Sequence, residues 1–102
     1  MEEALDMTAK FTGRDEDGVL TVTVVGEVDF ANAGELEAEF GAAGARVVVD
    51  LHRATYLDSA GLRVLFAQAR DRRLELVLQK GNAVEQVVTL SGLTGVAATR
   101  YG

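Results

Sequence analysis

The sequence predicts a single α/β domain over 1-102, a mixed and mainly parallel β-sheet with helices packed on it, in the order β-β-α-β-α-β-α-β. Three observations predict it. Residues 20–25 and 74–78 alternate as half-buried strands do, and residues 46–51 form a nearly continuous β-branched run. Apolar residues recur at helical spacing after each of these segments. Strands that alternate with helices imply parallel crossovers of one hand, and 102 residues suit one two-layer unit.

Taken in order, Ala9 to Thr12 reads as a weak first strand. Gly13 to Gly18 is a polar, glycine-bounded loop, and Leu20 to Val25 is the returning strand of a hairpin. Gly26-Glu27-Val28-Asp29 breaks that strand. Ala33, Leu36 and Phe40 then recur at helical spacing while Glu35, Glu37 and Glu39 point to water, and Gly41 and Gly44 end the helix. Arg46 to Leu51 has the pattern of a central strand covered on both faces. A polar loop, His52 to Thr55, leads to a helix whose Leu62, Leu65, Phe66 and Ala69 follow the core-facing rule. Leu74 to Leu78 is the next strand and Gly81-Asn82 a turn. Val84, Val87 and Val88 form a third helical stripe, and Val96 to Arg100 is a short final strand.

Composition narrows the function classes. The chain has no cysteine and no proline, so it has neither disulfides nor a proline-rich linker. Met1-Glu2-Glu3-Ala4-Leu5-Asp6 is acidic and lacks the basic and apolar regions of a secretory signal. The longest apolar runs fall far short of the ~20 residues a membrane-spanning helix needs. A cytoplasmic protein with no membrane insertion is expected. The net charge of −6 opposes approach to phosphate backbones, so no direct nucleic-acid partner is expected. Arg63, Arg70, Arg72 and Arg73 read as a solvated helix face whose basic end complements the macrodipole.

The chemically suggestive stretch is Tyr56-Leu57-Asp58-Ser59-Ala60-Gly61-Leu62, which places an acid and a hydroxyl where a helix begins. Ser59 suits the N-cap and Asp58 adds favourable charge to the positive end of the dipole. The small side chains of Ala60 and Gly61 leave the serine hydroxyl open to a second protein. Gly61 in the first helical turn costs roughly 0.5–1 kcal/mol relative to Ala, which close approach of another backbone explains.

Ordered landmarks add specificity: Gly26-Glu27-Val28-Asp29, then Val47-Val48-Val49-Asp50-Leu51 shortly before Leu57-Asp58-Ser59-Ala60-Gly61-Leu62, then Ser91-Gly92-Leu93. On these, most of the chain resembles the STAS domain family, in particular its anti-sigma-factor antagonists. The resemblance implies a binding protein, not an enzyme. It implies an anti-sigma factor that is itself a serine kinase as partner, with phosphorylation at Ser59. It also implies a partner-binding surface of Asp29, Asp58, Ser59, Ala60, Gly61 and Leu62. Members that act as subunits of a stressosome or lipid-transport complex give the alternative, an interaction subunit that is not phosphorylated. Many relatives carry a further C-terminal helix, whereas this sequence stops at Tyr101-Gly102, which opens the way to a homodimer.

Other chemistry finds no support. His52 is the single histidine, and Leu57 stands where a nucleophile elbow requires its first glycine. Gly41-Ala42-Ala43-Gly44 and Gly92-Leu93-Thr94-Gly95 lack the spacing and lysine of a phosphate-binding loop. Asp15, Glu16 and Asp17 lack calcium-loop spacing. No cofactor and no metal are expected.

Overall fold

A computed structural model describes residues 9–41 and 43–102; the acidic stretch Met1 to Asp6 lies outside the described residues. β1 (Lys10–Glu16) and β2 (Val19–Val28) form an antiparallel hairpin, with Glu16 opposite Val19. Only Asp17 and Gly18 connect them, at φ of 54° and 82°. The expected six-residue loop is therefore a two-residue turn with both central residues left-handed, the geometry whose twist matches paired strands and which Asp-Gly favours. The charged side chains of Arg14 to Glu16 are tolerated in a strand because β1 is an edge and they are exposed.

β2 continues to Val28 where the sequence suggested a break, absorbing the disturbance as a bulge at Gly26, whose φ is 101°. α1 (Ala33–Ala38) follows, and buried Phe40 lies in the turn just beyond it. β3 (Arg46–Leu57) is twice the expected strand. His52 to Thr55 is strand rather than loop, because Arg53 to Leu57 pairs with the extension of β2. α2 (Ser59–Asp71), β4 (Arg73–Leu78), α3 (Ala83–Leu90), a single 3-10 turn (Leu93–Gly95) and β5 (Ala98–Tyr101) complete the order.

The sheet order is β1-β2-β3-β4-β5, antiparallel only between β1 and β2. Every crossover steps to the next strand in the same direction, so right-handed connections place all three helices on one face. Burial follows that geometry. Leu20, Val22 and Val24 of β2 and Val47, Val49 and Leu51 of β3 are buried, while Thr21, Thr23, Val48 and Asp50 between them are half-buried. Among the described residues β3 is central but not covered on both faces as expected; its β-branched run reflects position in the sheet, with one face only half-buried. Leu36, Phe40, Val64, Leu65, Val84, Val88 and Leu93 close the core from the helical side.

The core face of α2 is centred on Gly61, Val64, Leu65 and Gln68. That is one residue round from the expected stripe, and Leu62, Phe66 and Ala69 pack only partly against the core. Gln68 is tolerated inside because its Oε1 accepts a hydrogen bond from Arg72 Nη1. Arg72 also donates from Nε to Gly44 O at 3.0 Å and from Nη2 to Phe40 O at 3.5 Å. So Arg72 is a tie between α2 and the α1–β3 connection, not part of a basic face. Arg70 pairs with Asp71 at 3.7 Å.

At the other edge, Asn82 caps α3 through Glu85 N–H at 2.9 Å, and Glu85 Oε1 accepts from Gly81 N–H at 2.6 Å. Tyr101 Oη donates to Glu85 Oε2 at 2.7 Å, fastening β5 to the start of α3. The Gly81 N–H first, then the Tyr101 hydroxyl, hold the Glu85 carboxyl below its ordinary value of 4.5.

Two stability predictions follow from these geometries. Gly18→Ala forces a side chain into the left-handed region and costs about 1–2 kcal/mol, a drop of several degrees in thermal midpoint. A depressed carboxyl stabilises only while ionised. The stability difference between wild type and Glu85→Gln is therefore constant at neutral pH and shrinks as pH falls below 4.5, measured by denaturant titration at a series of pH values.

Candidate functional site

β2 and β3 end side by side, Val28 opposite Leu57, at the carboxyl edge of the sheet where α/β domains gather their working residues. The two chains leaving that edge are joined by one side chain. Asp58 Oδ1 accepts from Ala60 N–H at 2.9 Å and Gly61 N–H at 3.1 Å, and its Oδ2 accepts from Phe30 N–H at 3.0 Å. Its backbone N–H donates to Val28 O at 3.2 Å, and Leu62 N–H donates to Asp58 O at 3.0 Å. Asp58 thus caps α2 and staples the loop after β2 to the helix start.

This corrects the expectation that Ser59 is the N-cap. A carboxylate has acceptor positions for both amides of the first turn and a third donor across the gap, which a hydroxyl lacks. Ser59 becomes the first helical residue and is exposed. Capping by its neighbour frees its hydroxyl from a structural task.

The loop after β2 is ordered by its own polar groups. Asp29 Oδ1 accepts from Ala31 N–H at 2.9 Å, and Asp29 O accepts from Asn32 N–H at 3.1 Å and Ala33 N–H at 2.9 Å. Asn32 is buried at 4% exposure; its Oδ1 accepts from Asp29 N–H and its Nδ2 donates to Glu27 O, both at 2.9 Å. Sequence reasoning missed Asn32, although Asp and Asn close together after a strand are residues whose side chains bond nearby backbone in turns. It also missed Phe30, which lies between the two acids and is 82% exposed.

Of the six expected site residues, Asp29, Asp58, Ser59 and Ala60 gather at this edge with part or all of their surface open. Leu62 is half-buried and Gly61 is buried. A Cβ on Gly61 would stand 2.5 Å from Leu57 Cδ1 and 2.9 Å from Val28 Cγ1. The close approach inferred for Gly61 is real, but its neighbours are side chains of β3 and β2 rather than backbone. Gly61 therefore sets how deeply the first turn of α2 seats on the sheet.

His52 has no part in this edge. It lies on β3, its Nδ1 2.6 Å from Asp50 Oδ1, and about 17 Å of extended strand separates it from Leu57. Among the described residues, no group of three or more His, Cys, Asp or Glu side chains is placed to hold a metal ion, and no helix is long and apolar enough to cross a membrane.

Comparison with known proteins gives this geometry a context. The family profile described as "Mlab, STAS domain" matches residues 11–98. BtrV of Bordetella bronchiseptica, named as a candidate anti-sigma factor antagonist, is 41% identical over 78% of this chain and 76% of its own. The crystal structure of an anti-sigma factor antagonist from Mycobacterium paratuberculosis superposes with a TM-score of 0.80 at 26% identity, covering 92% of this chain and 86% of that one. The anti-sigma factor antagonist SpoIIAA in its unphosphorylated form shares the fold, with a TM-score of 0.74 at 19% identity over 89% of this chain and 88% of that one.

Substitutions separate the two residues at the junction. Asp58→Ala removes the cap and the staple and costs about 1–3 kcal/mol, whereas Ser59→Ala stays within about 0.5 kcal/mol of wild type. Gly61→Ala overpacks the Leu57–Val28 contact and costs about 1–3 kcal/mol. Chemical denaturation of the three variants against wild type checks the order.

Proposed function

Because this chain belongs to the STAS domain family, we propose that it is an anti-sigma factor antagonist. Its unphosphorylated Ser59 surface binds an anti-sigma factor serine kinase, releasing a sigma factor, and phosphorylation of Ser59 ends the contact. The observation that carries this reading is an exposed Ser59 at the start of α2, with the cap supplied by Asp58.

The geometry makes a modification at Ser59 consequential for a partner and mild for the host. Phosphoryl transfer from ATP to the Ser59 hydroxyl releases ADP and a proton and adds about −1.5 to −2 charges at neutral pH. Asp58 already occupies the Ala60 and Gly61 amides, so the phosphate has no cause to draw into them and projects outward. The helix dipole favours negative charge at this end and the domain stays folded. A protein docked over the same spot meets a dianion beside a carboxylate, on a chain of net charge −6. Like-charge contact and desolvation cost several kcal/mol there, and each ~1.4 kcal/mol is tenfold in affinity.

A second reading is an interaction subunit of a larger assembly, such as a stressosome or lipid-transport complex, whose Ser59 is never phosphorylated. One observation favours it: Asp58 completes the surface without any modification.

Incubation of wild type and Ser59→Ala with ATP and purified anti-sigma factor kinases of the source organism separates the readings. Intact mass is expected to show one added phosphate on wild type and none on Ser59→Ala. In titration calorimetry Ser59→Asp is expected to bind the kinase at least about tenfold more weakly while keeping its thermal midpoint. Phosphate on both proteins rejects the site, and unchanged affinity of Ser59→Asp rejects the charge mechanism.

A further inference from the structure

We propose that Phe30 is the apolar anchor by which the Ser59 surface holds its partner, and that the partner presents an apolar pocket rimmed by Lys or Arg side chains. This rests on the reading of the chain as a ligand of an anti-sigma factor kinase and names the residue that gives the complex its affinity.

Phe30 is the most exposed of the large apolar side chains among the described residues, at 82%. Its backbone is nonetheless held from both sides. Asp58 accepts its N–H, Asn32 accepts that of Asp29 before it, and Asp29 accepts that of Ala31 after it. A ring displayed on a fixed backbone loses little conformational freedom when it is buried by a partner, the condition under which an aromatic side chain becomes the centre of an interface. The same carboxylate that receives Phe30 N–H receives Ala60 N–H, which places the ring's backbone and Ser59 on either side of one side chain.

Charge fixes the chemistry of the occupant. Exposed Glu27 and half-buried Asp29 and Asp58 surround the loop on a chain of net charge −6, so a basic rim complements it and a second copy of this acidic edge does not. Of the other exposed apolar residues, Tyr56 lies at this edge opposite Glu27 but is less exposed than Phe30, at 48%, and Leu90 and Tyr101 lie elsewhere. Leu90 ends α3, and Tyr101 is bonded to Glu85 with Lys80 Nζ 5.7 Å from its ring. Burying a Phe side chain contributes about 1.5–3 kcal/mol, which corresponds to roughly tenfold to a hundredfold in affinity.

The test titrates the kinase that phosphorylates wild type with Phe30→Ala, Phe30→Leu and Leu90→Ala. The expected result is Phe30→Ala weaker by at least about tenfold, with Phe30→Leu and Leu90→Ala within about threefold of wild type. In phosphorylation assays Phe30→Ala raises KM and leaves kcat, and its thermal midpoint matches wild type. Binding by Phe30→Ala equal to wild type overturns the inference, as does equal weakening by Leu90→Ala or unfolding of Phe30→Ala. Absence of kinase binding by wild type fails the functional reading itself, a result reached before any Phe30 variant is made. Self-association of wild type that Phe30→Ala abolishes, with kinase affinity unaltered, assigns the ring to a second copy and overturns the inference as well.

Discussion

The carboxylate of Asp58 accepts three backbone N–H groups drawn from two different segments, Ala60 and Gly61 in α2 and Phe30 after β2. Charge-assisted bonds of this kind are about twice as strong as neutral ones, and here each also fixes a direction. Through this carboxylate the first turn of α2, the serine on it and the neighbouring loop form one unit. With it removed, the side-chain tie between the helix start and the loop is lost, and the Asp58 N–H to Val28 O bond remains. The display of Ser59 therefore depends on its neighbour.

Much of the architecture was legible because periodicity survives tertiary context. Leu65 within α2, Leu74 to Leu78 in β4 and Val84 and Val88 in α3 lie where their spacing placed them. What was not legible is long-range pairing. Nothing local distinguishes His52 to Thr55 from a loop, since polar residues there are acceptable once an extended β2 lies alongside. The bulge at Gly26 made a continuing strand read as a broken one. The half-buried face of β3 was hidden for a related reason, because a β-branched run serves a strand at the middle of a sheet whether one face is covered or two.

At the site, sequence identified which residues cluster but not how they divide the work. Asp58 and Ser59 are both good helix starters, and their order alone does not say which one caps. The answer came from the third donor, Phe30 N–H, which lies 28 residues away in the chain and rewards a two-oxygen acceptor. Gly61 likewise reads locally as a weak helix former, and only the approach of Leu57 and Val28 explains it. Recruiting Asp58 to structure is what leaves Ser59 available, so stability and accessibility are assigned to adjacent residues instead of competing within one.

The two ends of α2 are treated alike. Arg72 grips the carbonyls of Gly44 and Phe40 at the far end, and Asp58 grips the loop amide at the near end. Helices ordinarily fray from their termini, where hydrogen bonds are fewest. A helix anchored at both termini has no loose end from which to unravel, so it opens only together with the surrounding layer. Ser59 consequently sits on a first turn that is tied down rather than on a loose end.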